Sequence, residues 1–317
     1  MTARSPGSLA ALLLCQRLEQ TPAAPLKSSE YWALLEAVGD PAALLGLDAA
    51  TIAGRFGTGT PLAERVATLL GAATGFALRL EEAEQQGLRV VASVDDSYPH
   101  ALLDRLGRLA PPLLYLVGDP TLLLADRLGI VGSREVGEEA AAVTRQAAAA
   151  AAEAGLGVVS GAAKGVDRLA MAAALDAGGT AVGVLADSLV RMTRGPEVRR
   201  AVTDGRLCLC TPYKPTAPFS IANAMGRNKL IYALSKATLV VAAAAETGGS
   251  WAGAVEAIRQ ATAPVLVWTG PGAGSGNPLL SQRGGIGVGR LADLFPLPEA
   301  PPPRAPRPVT DQLALEV

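Results

Sequence analysis

The sequence has few cysteines, one histidine, few aromatic residues and no long apolar run. Three thiols among 317 residues, at Cys15, Cys208 and Cys210, are too few for a disulfide framework and favour a reducing, cytoplasmic compartment. A single histidine provides no His/Cys ligand set of the kind that binds zinc, so we expect no metal. No apolar run approaches the roughly 18 residues that a membrane span requires. We therefore expect a cytoplasmic protein with no membrane partner.

Charge is nearly balanced, and its distribution is more informative than its sum. The formal net charge of −1 at pH 7 does not by itself indicate a nucleic-acid-binding protein. Residues 1–120 contain 9 basic and 13 acidic side chains, whereas residues 121–297 contain 17 basic and 13 acidic ones. The second part is mildly basic, so only a local groove within it could bind a polyanion.

Three apolar runs alternate with two helical segments between residues 128 and 185. The first run ends in Gly132-Ser133-Arg134, and the second ends in residues 160–167, which read SGAAKGVD. This alternation predicts a βαβαβ unit, in which right-handed crossovers join parallel strands. The carboxyl ends of such strands share one edge of the sheet, where ligands of open α/β sheets bind. Each loop also leads into a helix whose N-terminal N–H groups favour an anion.

The remaining segments predict an α/β protein preceded by helices. Residues 1–85 have apolar side chains at helical spacing and predict a small all-helical N-terminal domain. Residues 86–120 predict two linking strands, and residues 121–297 predict a parallel-sheet domain with a third glycine-rich loop at 246–250. Residues 298–317 are rich in proline and predict a disordered tail.

Basic side chains flank the predicted loops at the same edge of the sheet. One alone would be a solvated surface charge, but several beside glycine-lined helix N-termini predict a groove that binds phosphates. The loops can also be purely structural, since glycine permits tight strand-to-helix turns. The candidate set contains four basic residues. If each of them contacts one phosphate of a single-stranded polyanion, the logarithm of the binding constant should fall with the logarithm of the salt concentration at a slope of about −3. The candidate phosphate-binding residues are Gly132, Ser133, Arg134, Ser160, Gly161, Lys164, Gly165, Arg227, Asn228, Lys229, Gly248, Gly249 and Ser250.

Two common nucleotide-binding signatures are absent, so we expect no nicotinamide or other cofactor. The first loop lacks the G-x-G-x-x-G spacing, and Ser160-Gly161 stands where a ribose-binding acid would end the second strand. No G-x-x-x-x-G-K-[ST] segment occurs, which excludes a Walker A loop. Trp251 and Tyr213 are either stacking surfaces for bases or packing residues. Asp167 either interacts with the dipole of its helix or braces a neighbouring cation.

Six short segments, in order and spread over about two-thirds of the chain, resemble one known family. The family is DNA-processing protein A, or DprA, also called Smf. The matching patterns are D-x-x-Y-P at 95–99, P-P-x-L-Y-x-x-G-D at 111–119, I-V-G-S-R at 130–134, V-V-S-G-x-A-K-G-V-D at 158–167, G-R-N-K-L-I at 226–231 and G-G-S at 248–250.

The resemblance implies an extended Rossmann-like fold and a non-enzymatic protein that binds single-stranded DNA. It further implies a homodimer that passes the DNA to the RecA recombinase during natural transformation. The family's DNA contacts carry over to Arg134, Lys164 and Arg227, and less firmly to Lys229. Two departures indicate a divergent branch. The family's Gly-Leu-Ala-Arg loop here reads GAAK at 161–164, and residues 217–225 lack a basic residue that the family has before its R-N motif.

A second family with related βαβ units leaves an enzymatic alternative open. The cytokinin-activating phosphoribohydrolases and their relatives bind nucleotides or nucleotide-sugars and are marked by P-G-G-x-G-T-x-x-E. The corresponding segment here runs from Thr247 to Glu256; it keeps the glycine pair but lacks the motif's threonine and has a longer spacing to the glutamate. Glu256 is then either a catalytic carboxylate or a residue on a helix face.

Overall fold

The computed structural model describes residues 4–299, which form a nine-stranded, mostly parallel sheet with helices on both faces and a helical N-terminal segment. The α/β fold predicted from the alternating runs is therefore confirmed. The domain boundaries near residues 85, 120 and 297 stay predictions. Residues 300–317, most of the predicted proline-rich tail, lie outside the described residues. Within residues 4–299, no helix is both long enough and apolar enough to cross a bilayer.

Five α-helices precede the sheet and pack on its first strands. Tyr31 and Trp32 anchor them, since Trp32 Nε1 donates to Ala110 O at 2.7 Å and the Tyr31 and Ser93 hydroxyls lie 3.0 Å apart. Both rings are buried, so their hydrogen bonds satisfy polar atoms that would otherwise be buried without a partner. The helices are α1 (Pro6–Cys15), α2 (Ser28–Val38), α3 (Ala49–Phe56), α4 (Thr60–Leu70) and α5 (Ala73–Gln85).

Two strands link these helices to the parallel part of the sheet. Strand β1 (Arg89–Ala92) pairs antiparallel with β2 (Leu113–Val117), and α6 (Ala101–Leu106) lies between them in the chain. Strand β2 in turn pairs antiparallel with β6 (Leu207–Thr211). The two strands therefore extend the sheet, but in the antiparallel sense, so the sheet is mixed.

The other strands run parallel, and the spatial order of the sheet is β1-β2-β6-β5-β4-β3-β7-β8-β9. They are β3 (Arg127–Val131), β4 (Gly157–Ser160), β5 (Ala181–Val184), β7 (Ala237–Val240), β8 (Val265–Trp268) and β9 (Ile286–Val288). The connecting helices are α7 (Glu138–Glu153), α8 (Val166–Asp176), α9 (Leu189–Met192), α10 (Pro196–Thr203), α11 (Ile221–Ala233), α12 (Gly248–Gln260) and α13 (Asn277–Gln282). Short 3-10 helices cover Pro41–Leu44, Gly107–Leu109, Pro120–Leu123 and Leu291–Asp293.

Alternating strand residues face two hydrophobic layers. Leu128 and Ile130 of β3 pack with α7 and α8, whereas Val131 packs in the layer that contains α11 and α12. The chain therefore covers one face of the sheet, crosses after β6, and covers the other. The strand order reverses between β3 and β7, and in such folds ligands bind at the carboxyl ends of the strands near this point.

A buried asparagine fixes the carboxyl ends of β7 and β8. The Asn277 amide nitrogen donates to Val241 O at 2.9 Å and to Trp268 O at 2.7 Å, while its oxygen accepts from Ala243 N at 2.9 Å. Asn277 is fully buried, so these bonds replace those that water would make. Asn277 thus joins the segments that follow β7 and β8 at the carboxyl edge of the sheet.

Candidate nucleic-acid interface

The loops after β3 and β4 interlock, and glycine is required where they cross. Gly165 has φ +90, and a Cβ on it would overlap Ser133 O and lie 2.7 Å from Arg134 Cα. The Val166 N–H also donates to Ser133 O at 3.1 Å. The close approach of these two backbones brings the loop that carries Lys164 against the loop that carries Arg134.

Arg134 and Lys164 are both exposed, and neither forms an ion pair with any other residue between 4 and 299. The Arg134 guanidinium carbon lies 5.2 Å from the centre of the Phe219 ring, which belongs to the loop after β6. Two adjacent cations without carboxylate partners remain available to a solvent-borne anion. We refer to Arg134 and Lys164 as the cation pair.

Arg227 is not part of this surface, although it was predicted to contact phosphate. Its side chain is 7% exposed and its Nη2 lies 3.8 Å from Oδ2 of Asp167, which is 8% exposed. The guanidinium lies directly beneath Gly161, where a Cβ would overlap its Nη1. Arg227 therefore supports the β4 loop from below. The Asp167 carboxylate faces this buried arginine rather than the exposed cations.

Burial shapes the charges of this internal pair. Loss of water raises the pKa of the Asp167 carboxyl, against the opposing effect of Arg227. The same loss of water lowers the pKa of the Arg227 guanidinium, although Asp167 favours its charged form. Arg227 Nε has no hydrogen-bond partner among the described residues. The pair holds the loop in place at an energetic cost that an exposed pair would not have.

Lys229 differs from its predicted role. Its ammonium lies 3.4 Å from Glu256 Oε1 on α12, and its side chain is only 11% exposed. Asn228 contacts Gly249 at the start of α12, whereas the partner of Lys229 lies seven residues, or about two turns, further along that helix and away from the loops of the cation pair. Glu256, the carboxylate of the phosphoribohydrolase alternative, is thus occupied by an ion pair.

Several other predicted residues hold the loops together. Ser160 Oγ donates to Ile130 O at 2.6 Å and is fully buried, so it cannot contact a ligand. Ser250 Oγ donates to Gly132 O at 2.7 Å, and Asn228 Nδ2 donates to Gly249 O at 3.1 Å. These bonds join the β3 loop, α11 and α12. Gly248 lies exposed at the first position of α12 and makes no such bond.

The helix N-termini offer less to an anion than the sequence suggested. Helix α7 begins six residues after Gly132, and its first turn carries two glutamates, Glu138 and Glu139. At the start of α8, the N–H groups of Val166 and Arg168 already donate to the carbonyls of Ser133 and Ala163. The exposed cations, rather than the helix N-termini, are therefore the favourable groups that an anion would meet at this edge.

The aromatic group available at this edge is not one that the sequence analysis named. Trp251 is 8% exposed and Tyr213 is 3% exposed, so both are packing residues. Phe219 is 46% exposed and rests against Arg134. Phe219 could not be predicted from the sequence, because its contact with Arg134 depends on how the loop after β6 crosses the edge of the sheet. No group of side chains among residues 4–299 is arranged to hold a metal ion.

Comparison with known proteins gives one family and several related structures. The sequence profile of the family described as DNA recombination-mediator protein A matches residues 89–277, more than half of the chain. Comparison with curated protein sequences finds no significant match. A crystal structure of DNA processing protein A from Streptococcus pneumoniae is similar at 22% identity and a TM-score of 0.68, covering 92% of this chain and 97% of that one.

A second solved structure is similar over a shorter range. It is a DNA processing protein A from Helicobacter pylori, described for its single-stranded DNA binding mode, with 23% identity and a TM-score of 0.54. The similarity covers 65% of this chain and 93% of the other. At these identities the two structures establish the fold, which agrees with the Rossmann-like sheet described above. The profile match and the ordered motifs together place this chain in the DNA recombination-mediator protein A family, DprA.

Proposed function

We propose that this protein binds single-stranded DNA at the carboxyl edge of its sheet and acts without catalysing a reaction. The observation that carries the proposal is the cation pair, two exposed charges on interlocked loops that have no ion-pair partner among residues 4–299. Phosphate contacts of this kind supply most of the affinity of sequence-independent binding. Family membership supports the same ligand, as does the Helicobacter pylori relative described for single-stranded DNA binding.

The direct test is a fluorescence-anisotropy titration of single-stranded and double-stranded oligonucleotides of mixed sequence. We expect single strands to bind more tightly and their affinity to depend little on base sequence, because the contacts proposed for the cation pair are to phosphates, which carry no sequence information. Failure to bind either form, or strong discrimination among single strands of equal length, would contradict the proposal.

Phe219 is the group that we expect to separate single from double strands. An aromatic ring can stack on an unpaired base, and such stacking contributes about 1–3 kcal/mol, or roughly 5- to 150-fold in affinity. Phe219→Ala should lower the affinity for single strands by an amount in this range and leave duplex affinity unchanged. Phe219→Trp should retain the preference.

Ile221 provides the matched control for this experiment. It is 76% exposed and lies two residues from Phe219, but it has no aromatic face. Ile221→Ala should therefore leave the preference for single strands unchanged. An equal loss for both oligonucleotide forms in Phe219→Ala would show that the ring supports Arg134 rather than a base.

We also propose that the bound strand is handed to a RecA-type recombinase during natural transformation. The description of the family as recombination mediators supports this step. It is tested by the rate at which RecA polymerises on single strands precovered by a single-strand-binding protein, with and without this chain. The homodimer expected from the resemblance stays a prediction and is tested by sedimentation velocity.

The enzymatic alternative predicts release of free base from a nucleoside monophosphate. The engagement of Glu256 by Lys229 favours the binding function instead. Incubation with nucleoside monophosphates and chromatography of the products separates the two. Release of base above the uncatalysed rate would contradict the proposed absence of catalysis.

A further inference from the structure

Exposed charges are divided unequally along the carboxyl edge of the sheet. The half formed by the segments after β4, β5 and β6 carries mainly cations, whereas the half next to β7 carries mainly carboxylates. The exposed cations of the first half are Lys164, Arg168, Arg191, Arg194 and Lys214. The carboxylates of the second half are Glu135, Glu138, Glu139 and Glu246.

Few charges offset this division. In the basic half, Asp187 pairs with Arg191, and Glu197 is exposed at the start of α10. In the acidic half, Arg283 lies 3.9 Å from Glu246, and Arg290 after β9 is paired with Asp293. Arg194 and Lys214 have no ion-pair partner among residues 4–299. A phosphate chain leaving the cation pair would therefore meet attraction in one direction and repulsion in the other.

The segments after β5 and β6 form one continuous surface beside the β4 loop. Strand β5 lies next to β4, and a Cβ on Gly183 of β5 would lie 3.5 Å from Ala162 Cβ. The Val190 N–H and the Ser188 hydroxyl both donate to Pro215 O, at 3.2 and 3.3 Å. These bonds hold the segment that carries Arg194 against the loop that carries Lys214.

The length of this surface suits several nucleotides. From β3 to β6 the edge spans three strand spacings, or about 14 Å. Phosphates of one strand are about 3.4 Å apart along the axis of duplex DNA and further apart in a stretched single strand. A strand that begins at the cation pair can therefore place a few more phosphates before it passes β6.

We propose that single-stranded DNA runs from the cation pair across the segments after β5 and β6, with Lys214 and Arg194 contacting successive phosphates. The strand avoids the switch point between β3 and β7, where ligands of doubly wound sheets usually bind, because exposed glutamates follow both strands there. This path rests on the proposed function. It makes the site longer than the two interlocked loops alone.

The path is tested with an Arg194→Ala/Lys214→Ala double variant and 5′-phosphorylated thymidine oligonucleotides of about 2 nucleotides, whose two phosphates only cover the cation pair, and of about 16 nucleotides, the upper end of common single-strand site sizes. Each lost phosphate contact lowers affinity roughly fivefold at about 0.1 M salt. We expect affinity for the long oligonucleotide to fall roughly 25-fold and its salt slope to become less steep by about 1.4. Affinity for the short oligonucleotide should change by less than about twofold, because it can remain on the cation pair.

An Arg145→Ala/Lys236→Ala variant provides the matched control, since it removes the same charge from exposed positions away from this edge. Lys236 directly precedes β7, at the amino ends of the parallel strands, where it pairs with the exposed Asp126, and Arg145 lies seven residues into α7. This variant should bind both lengths like the wild type.

The outcomes separate the path from the proposed function. If no oligonucleotide binds the wild type, the proposed function fails. If both lengths bind and the double variant is equivalent to the wild type, the path is wrong and the function stands. An equal loss on both lengths would also overturn the path, because the two residues would then belong to the site of the short strand.

Discussion

An Arg134→Ala/Lys164→Ala double variant is expected to bind single-stranded DNA roughly 25-fold more weakly than the wild type at about 0.1 M salt. Both side chains are exposed, and neither has an ion-pair partner in the described part of the chain. Each contact between such a cation and a single-strand phosphate contributes about 0.7 to the salt slope, which corresponds to roughly fivefold in affinity. Anisotropy titration of a fluorescent oligonucleotide measures the loss.

The same variant is expected to keep its stability. Replacing exposed side chains that have no ion-pair partner usually changes the free energy of unfolding by less than about 0.5 kcal/mol each. Removing Lys164 also takes a cation away from the positive end of α8, which starts two residues later. Arg145→Ala serves as the control for loss of an exposed arginine. A double variant that melts early and binds normally once folded would mean that the cation pair only braces the loops.

Gly161→Ala is expected to destabilise the protein by about 3–5 kcal/mol, the cost of breaking a buried ion pair. Its Cβ would overlap the Arg227 guanidinium, which must then leave its place beside Asp167. The Asp167 carboxylate would remain buried without its partner. Urea denaturation measures the change in the free energy of unfolding.

Two further variants identify the cause of this loss. Gly137→Ala is the matched control, because Gly137 has φ −73 and a Cβ there would meet nothing within 4 Å. In an Arg227→Met background, Gly161→Ala should cost far less, since the flexible thioether can yield, and the two changes should not be additive. Additive costs would show that the β4 loop, and not Arg227, opposes the new methyl group.

The fold was largely predictable because its signals are local. Alternating apolar runs and helical segments give the parallel order, and glycines after β3 and β4 locate the loops. The antiparallel pairing of β1 and β2 was not predictable, because strand direction depends on where distant segments meet. The family was recognisable from short motifs, and the profile match over residues 89–277 confirms it.

The candidate site was predictable only in part, because burial depends on tertiary packing. The sequence predicts Arg227 to be a surface cation, yet Leu230, Ile231 and Leu234 follow it at helical spacing and lie on the buried face. That pattern could have indicated that Arg227 faces inward. The partner of Lys229 could not have been found in this way, since Glu256 lies on another helix. With these two cations removed, the slope of about −3 expected from four contacts falls to about −1.4.

The salt dependence of binding tests the central claim that the cation pair contacts phosphate. Affinities of the wild type and of Arg134→Ala/Lys164→Ala for one short thymidine oligonucleotide are measured at several salt concentrations on the same preparations. We expect the wild-type slope of log K against log salt to be at least as steep as about −1.4, and the variant slope to be less steep by about 1.4. Equal slopes for the two proteins, or a wild-type slope near zero, would contradict the account.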